Sequence, residues 1–164
     1  MLKTTLADLH THVGATIGPS EWIKVGQQRI DGYADAVSDH NWIHCDVPRA
    51  TAAFGGTIAH GLLTLSMAPP IAQTLIDIDD VETDLNYGFD KVRFLSVVHG
   101  GDRIRLWLKV LEVVPRGAGV ILRMEYSIEV EGKAKPAIVA DWLFILFPRA
   151  EKLAAQAKLE SKPD

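Results

Sequence analysis

Twice between Arg103 and Val130 the chain settles into strict alternation. Ile104, Leu106, Leu108 and Val110 are interleaved with Arg103, Arg105, Trp107 and Lys109; Val120, Leu122, Met124, Tyr126, Ile128 and Val130 are interleaved with Ile121, Arg123, Glu125, Ser127 and Glu129. Side chains on a strand point to opposite faces in turn, so both runs read as long strands with one dry and one wet face. Pro115-Arg116-Gly117-Ala118-Gly119 joins them as a hairpin, and Glu131-Gly132-Lys133 turns the chain into a last apolar strand running through Phe147. Asn86 to Leu95 supplies a further strand. Such a sheet needs something to cover its apolar face. The segment His60 to Ile76 offers that: it has no charged residue and is apolar on nearly every side, as suits a helix buried on most faces. Pro69-Pro70 must kink or divide this helix, since each proline removes a backbone donor. The expectation is an α+β domain whose strands, drawn from residues 84–147, curl around a helix at 60–76 and keep Leu65 and Ile71 out of solvent.

The rest of the chain is shorter-ranged. Residues 1–19 form a mixed lead-in ending at Gly18-Pro19, and Glu21 to Val25 alternates briefly as a strand. Ile30, Tyr33, Ala34 and Val37 recur at helical spacing within 28–37. Pro48 suits the first turn of another short helix through Ala53, after which Phe54-Gly55-Gly56-Thr57-Ile58-Ala59 reads as a loop. The tail after Pro148 is helix-prone and ends in Ser161-Lys162-Pro163-Asp164. A chain of 164 residues fits one domain, 1–164, with a core of about 20–148 and a tail of 149–164, and needs no disulfide or structural metal to fold.

Composition removes several classes of function. With 48% hydrophobic and 23% charged residues the chain is globular, and a net charge of −4 leaves no electrostatic footprint for nucleic acid. No run has the purity of a transmembrane helix, because Asp141 interrupts the longest candidate, and Met1 to Asp8 lacks the apolar run of a secretory signal. The single cysteine, Cys45, excludes a disulfide framework and suits a reducing compartment. A soluble cytoplasmic protein is the expectation.

Groups able to move protons concentrate between Asp39 and Gly61. Asp39, Asn41 and His44 form D-x-N-x-x-H, and a helix opening at His60-Gly61 follows a glycine loop. An aspartate and a neutral histidine can hold one water between them, with the aspartate as general base. Asn41 is both donor and acceptor and can fix one of those side chains. The free amide at the start of a buried helix, near Gly61, can donate to a carbonyl oxygen that becomes negative, and a residue without a side chain lets a ligand approach the backbone. Together these parts suit addition of water to, or hydrolysis of, an activated acyl group. A plainer reading stands beside this: Asp39 or Asn41 also suits helix capping, His60 a satisfied core histidine, and Gly61 close packing.

The run Tyr33-Ala34-Asp35-Ala36-Val37-Ser38-Asp39-His40-Asn41-Trp42-Ile43-His44-Cys45-Asp46, with Ala52-Ala53-Phe54-Gly55-Gly56-Thr57-Ile58-Ala59-His60-Gly61 after it, resembles the MaoC-like (R)-specific enoyl-CoA hydratases. Trp42-Ile43-His44, Asn86-Tyr87-Gly88 and Lys91-Val92-Arg93-Phe94 are most similar to their nodulation-protein-N-like branch. The resemblance runs from about Trp22 to Phe147. It implies the hot-dog fold, a curved antiparallel sheet wrapped around a long central helix, acting as a homodimer. It places the family's catalytic Asp and His on Asp39 and His44, its motif Asn on Asn41 and its oxyanion-hole Gly on Gly61. The implied reaction is reversible addition of water to a trans-2-enoyl-CoA, giving an (R)-3-hydroxyacyl-CoA within fatty acid metabolism. Coenzyme A is part of the acyl-CoA substrate, and the resemblance implies no separate cofactor, no metal, and no nucleic-acid or membrane partner. Two positions depart from the common pattern: Ser38 stands where many members have Gly, and Trp42 where many have Pro.

Other residues invite competing readings. His40 and His44 with Asp46 or His60 have the donor types of a metal site, although the glycine- and proline-bounded setting opposes one continuous helix there. Cys45 beside His44 suggests a nucleophile pair, against which a buried inert thiol is the simpler reading. Lys91 and Arg93 share a strand face and suit either coenzyme A phosphates or solvent. Trp107 suits a dimer contact or a plain surface aromatic. The functional alternatives are an acyl-CoA thioesterase, whose water attacks the thioester carbonyl instead of C3, and a non-catalytic acyl-CoA binder, for which a water-activating pair has no use.

Overall fold

The structure is a computed structural model and describes residues 1–149; the helix-prone tail beyond lies outside the described residues. In chain order the elements are β1 (Leu2–Thr4), a 3-10 turn (Leu9–His12), β2 (Thr16–Ile17), β3 (Ile23–Lys24), α1 (Gln27–Val37), α2 (Trp42–Cys45), α3 (Val47–Phe54), α4 (Gly61–Ser66), α5 (Ala68–Ala72), β4 (Ile76–Ile78), β5 (Val81–Phe94), β6 (Arg103–Arg116), β7 (Gly119–Val130) and β8 (Ile138–Pro148).

The main sheet is antiparallel, in the order β2-β6-β7-β8-β5, with β3 also on β6. The alternation seen in the sequence becomes its two faces. Ile104, Leu106, Leu108 and Val110 on β6, Leu122 to Val130 on β7, and Ile138, Ala140, Trp142, Phe144 and Leu146 on β8 alternate as buried residues. A bulge between Val110 and Glu112 shifts the β6–β7 register, and pairing then continues to Arg116 opposite Gly119. The hairpin is therefore closed by Gly117-Ala118 alone, with Gly117 at φ 56°. Pro115 lies inside β6 rather than in the turn, where beyond Val110 the strand's other edge has no strand partner among the described residues.

The apolar face is covered as expected, since Leu65 and Ile71 are 6% and 4% exposed. The long helix is not one helix, however. It divides into α4 and α5 at Met67, because Pro69 and Pro70 have no amide to donate and fit only a first turn, and it ends at Ala72 instead of Ile76. Ile76 opens β4, which pairs parallel with β1. The expectation of burial on most faces fails at Leu62, 59% exposed. The lead-in is also part of the packing: Leu9 is fully buried, so the core begins well before residue 20. Trp107 is not a free surface aromatic either. Its ring and Cα lie against the position of a Cβ on Gly18, and Arg105 stacks over it at 5.8 Å. No helix among the described residues is long and apolar enough to cross a membrane.

Candidate active site

Three chain segments meet at one end of α4. The first is the exit of α1. Ser38 closes that helix in the left-handed conformation, φ 59° and ψ 30°, which turns the chain so that the next residue, Asp39, leaves the helix axis. Asp39 donates its amide to the carbonyl of Ala34 (3.1 Å) and keeps its carboxylate half exposed, at 54%. The left-handed position explains why glycine is common there among the enzymes this sequence resembles.

The second segment is α2. Asn41 is its N-cap: the side-chain oxygen accepts from the amide of Ile43 at 3.3 Å, and the backbone amide of Asn41 donates to Asp39 Oδ1 at 3.4 Å. The capping reading thus holds for Asn41, whose side-chain oxygen starts the turn that carries His44. Trp42 occupies the first helical position, where proline is also well tolerated, so the exchange of Pro for Trp leaves the helix start intact. The Trp42 indole stacks on Phe54 at 5.7 Å and lies under the Arg49 guanidinium at 4.0 Å. His44 is buried, with Nδ1 2.5 Å from the carbonyl oxygen of Ile58. A carbonyl only accepts, so Nδ1 carries the hydrogen and Nε2 of the neutral ring presents a lone pair. Behind it, Gln27 donates to the carbonyl of His44 and to Asp31 Oδ1, both at 2.8 Å, and accepts from the buried Thr57 hydroxyl at 2.5 Å.

The third segment is the start of α4. His60, read from sequence as a satisfied core histidine, is indeed buried but stands inside the site. Its Nε2 donates to the carbonyl of Asp39 at 3.0 Å and lies 3.9 Å from Asp39 Oδ2, and its ring stacks on His44 with centroids 3.7 Å apart. Gly61 follows as the first residue of α4, where its amide has no partner within the helix. The space a ligand was expected to use at Gly61 is occupied by Phe94: a Cβ there would sit 2.9 Å from two ring carbons. Gly61, Phe94, Thr64 and Ile138 line a cavity of about 290 Å³. A second cavity of about 280 Å³ lies between α5 and the sheet, walled by Met124, Tyr126 and Phe144, and burial, then Asp84, pushes the Tyr126 phenol well above its ordinary range.

Asp39, His44 and His60 thus bring donor atoms within 4.8 Å of one another. The grouping differs from the one considered from sequence: His40 is exposed and bonded to Asp35, and Asp46 caps α3. The stack disfavours a metal. Nitrogens of near-parallel rings point alongside each other, and an ion about 2.1 Å from both would sit far out of both ring planes. Cys45 is no activated nucleophile, because burial first, then Asp31, Asp35 and Asp39, raises its thiol above the ordinary value. Sequence reasoning missed Gln27 and Thr57 as parts of this site and weighed His60 only as a core residue or a metal donor. His60 alone left a signal, a histidine directly before the first residue of a buried helix.

Known proteins resemble this chain over most of its length. The MaoC-like domain family matches residues 8–129. The 3-hydroxyacyl-thioester dehydratase Z of Mycobacterium tuberculosis is 40% identical over 139 residues, covering 84% of this chain and 92% of its own. Nodulation protein N of Rhizobium leguminosarum bv. viciae is 41% identical over 150 residues, covering 89% and 93%. Among solved structures, the unliganded R-hydratase PhaJ1 from Pseudomonas aeruginosa superposes with a TM-score of 0.68 at 21% identity, over 84% of this chain and 83% of that one, which supports the hot-dog fold. The chain belongs to the MaoC-like dehydratase family.

Proposed function

We propose that this MaoC-like hydro-lyase is an (R)-specific enoyl-CoA hydratase, adding water reversibly to a trans-2-enoyl thioester. The observation that carries the reading is the convergence of the Asp39 carboxylate with the His44 imidazole, whose Nδ1 hydrogen is committed to Ile58, so that Nε2 accepts from a water. Asp39 takes one proton from that water as its oxygen bonds to C3, and the pair returns a proton to C2, so that the elements of water are added across the double bond. The Gly61 amide donates to the thioester oxygen as charge builds there, and the apolar cavity beside it receives the acyl portion. Lys91 and Arg93, exposed on β5, supply cations for a coenzyme A carrier.

A homodimer belongs to the same reading, formed at β5 rather than through Trp107. β5 is fourteen residues long, has no strand on its outer edge among the described residues, and exposes Leu85, Tyr87 and Phe89. A bare edge of this kind is a template for a second strand.

The test is to supply crotonyl-CoA and follow enoyl absorbance, free thiol and product configuration together. Loss of enoyl absorbance with (R)-3-hydroxybutyryl-CoA as product supports the proposal. Thiol release without hydration replaces it with the thioesterase reading, and binding without turnover replaces it with the binder.

A further inference from the structure

We infer that His60 is a positioning residue for the reaction, holding Asp39 and His44 in one geometry through a fixed tautomer; the inference rests on the hydratase reading of the same site. His60 is 5% exposed, and its Nδ1 is buried without a hydrogen-bond partner. An apolar side chain filling the same space would leave no unpaired polar atom behind, so packing alone does not account for an imidazole here. What the imidazole supplies is a donor. Nε2 gives its hydrogen to the carbonyl of Asp39, 21 positions away in sequence. That bond requires the Nε2–H form and leaves Nδ1 as a bare lone pair, which suits a pocket that offers it neither donor nor acceptor.

The bond ties the Asp39 turn to the start of α4, a link separate from the Asn41 cap that joins Asp39 to α2. Asp39 sits on a turn held to α1 through Ala34, and His44 is held by Ile58 and Gln27. His60 precedes Gly61, so its bond to Asp39 fixes the proton acceptor relative to the amide facing the thioester oxygen. Its face lies on His44, with the Tyr33 ring 5.0 Å away, which restrains the His44 ring against rotation. The stacked imidazoles take opposite tautomers, Nδ1–H in His44 and Nε2–H in His60. Displacing a reacting group by about 1 Å can cost on the order of 10²-fold in rate, so loss of the donor should appear in kcat before it appears in binding.

Two measurements test this. Long-range proton–nitrogen correlation spectra of the histidine-labelled wild-type protein, at a pH where both rings are neutral, should show Nε2–H for His60 and Nδ1–H for His44; an Nδ1–H form of His60 overturns the inference. In hydration kinetics, His60→Phe keeps a ring but no donor and should lower kcat at least about tenfold with KM within about threefold. His60→Gln restores a donor of similar reach and should recover kcat to within about threefold of wild type. A His60→Phe enzyme with wild-type kcat, or a folded His60→Gln enzyme no faster than His60→Phe, overturns the inference. Should either variant not fold, the tautomer of the wild type decides. A wild type without hydratase activity removes the functional reading instead, and the spectra still report on His60.

Discussion

Replacing Gly61 with alanine separates two explanations of why that position is bare. The added methyl would lie 2.9 Å from Cδ1 and Cε1 of Phe94, against an ordinary carbon–carbon contact of about 3.5–4.0 Å. Something must therefore yield by about 0.6–1 Å. Phe94 is the last residue of β5 and 51% exposed, so its ring can turn outward at a rotamer cost of about 0.5–1.5 kcal/mol. Alanine returns up to about 1 kcal/mol of helix propensity. The net change in stability should stay within about 1 kcal/mol, a Tm shift of no more than about 4 °C for a chain of this size. Activity should suffer more, because the methyl stands beside the amide assigned to the thioester oxygen and the displaced ring alters the cavity wall. Alanine keeps the amide and can only obstruct it, so the loss of kcat should not exceed about 10²–10³-fold, the cost of removing such a donor. Thermal unfolding and crotonyl-CoA hydration, measured on Gly61→Ala and on Gly61→Ala/Phe94→Ala, read the two effects apart: the second change should relieve any loss of Tm and leave the loss of kcat. If the double variant regains wild-type turnover, Gly61 is bare only to seat Phe94, and the ligand does not need the space of the missing side chain.

Three further outcomes follow from the same geometry. Asp39→Asn and His44→Ala should each lower kcat by about 10²–10⁴-fold with the fold intact by circular dichroism, and the double variant should be little worse than the poorer single one because both act on one water. Ser38→Gly should raise stability by about 0.5–1 kcal/mol, since a left-handed non-glycine residue costs about 1–2 kcal/mol and glycine returns about 0.4–1 kcal/mol to the unfolded chain; a fall in Tm would contradict the strained turn. Leu85→Lys on the open edge of β5 should convert a dimer to monomer in sedimentation at micromolar concentration, and a wild type already monomeric and active would rule that pairing out.

What could be read from sequence was what repeats or lies close along the chain. The β6–β7 hairpin was legible because its alternation survives unbroken up to one bulge. β5 was legible only from Asn86 onward, although the strand begins at Val81, and register shifts between Val81 and Thr83, Asn86 and Gly88, and Phe89 and Lys91 interrupt its period of two along the whole length. β1 was not legible, since three residues carry no period and its pairing with β4 is set by the ends of the fold. The break in the central helix was signalled by Pro69-Pro70, but its place was not: it falls at Met67, before the prolines, which sit within the first turn of α5.

The site divides along the same line. Asp39, Asn41 and His44 lie within six residues, so their spacing alone could suggest a shared water and a cap. The groups that hold them are distant: Gln27 reaches the carbonyl of His44 across 17 positions, Thr57 reaches Gln27 across 30, and His60 reaches Asp39 across 21. Phe94 meets Gly61 from the far end of β5. None of these separations has a sequence period, because the first three are set by how α1, α2 and the loop before α4 pack together and the last by where β5 ends against α4. Ser38 shows how the two kinds of information combine. As a departure from the glycine common in the resembling enzymes it was only an irregularity; its φ of 59° turns it into a statement about the turn that aims Asp39. Accordingly, a substitution at Ser38 that forbids the left-handed conformation, such as valine, should disturb both stability and the placement of the carboxylate, whereas glycine should improve the first and preserve the second.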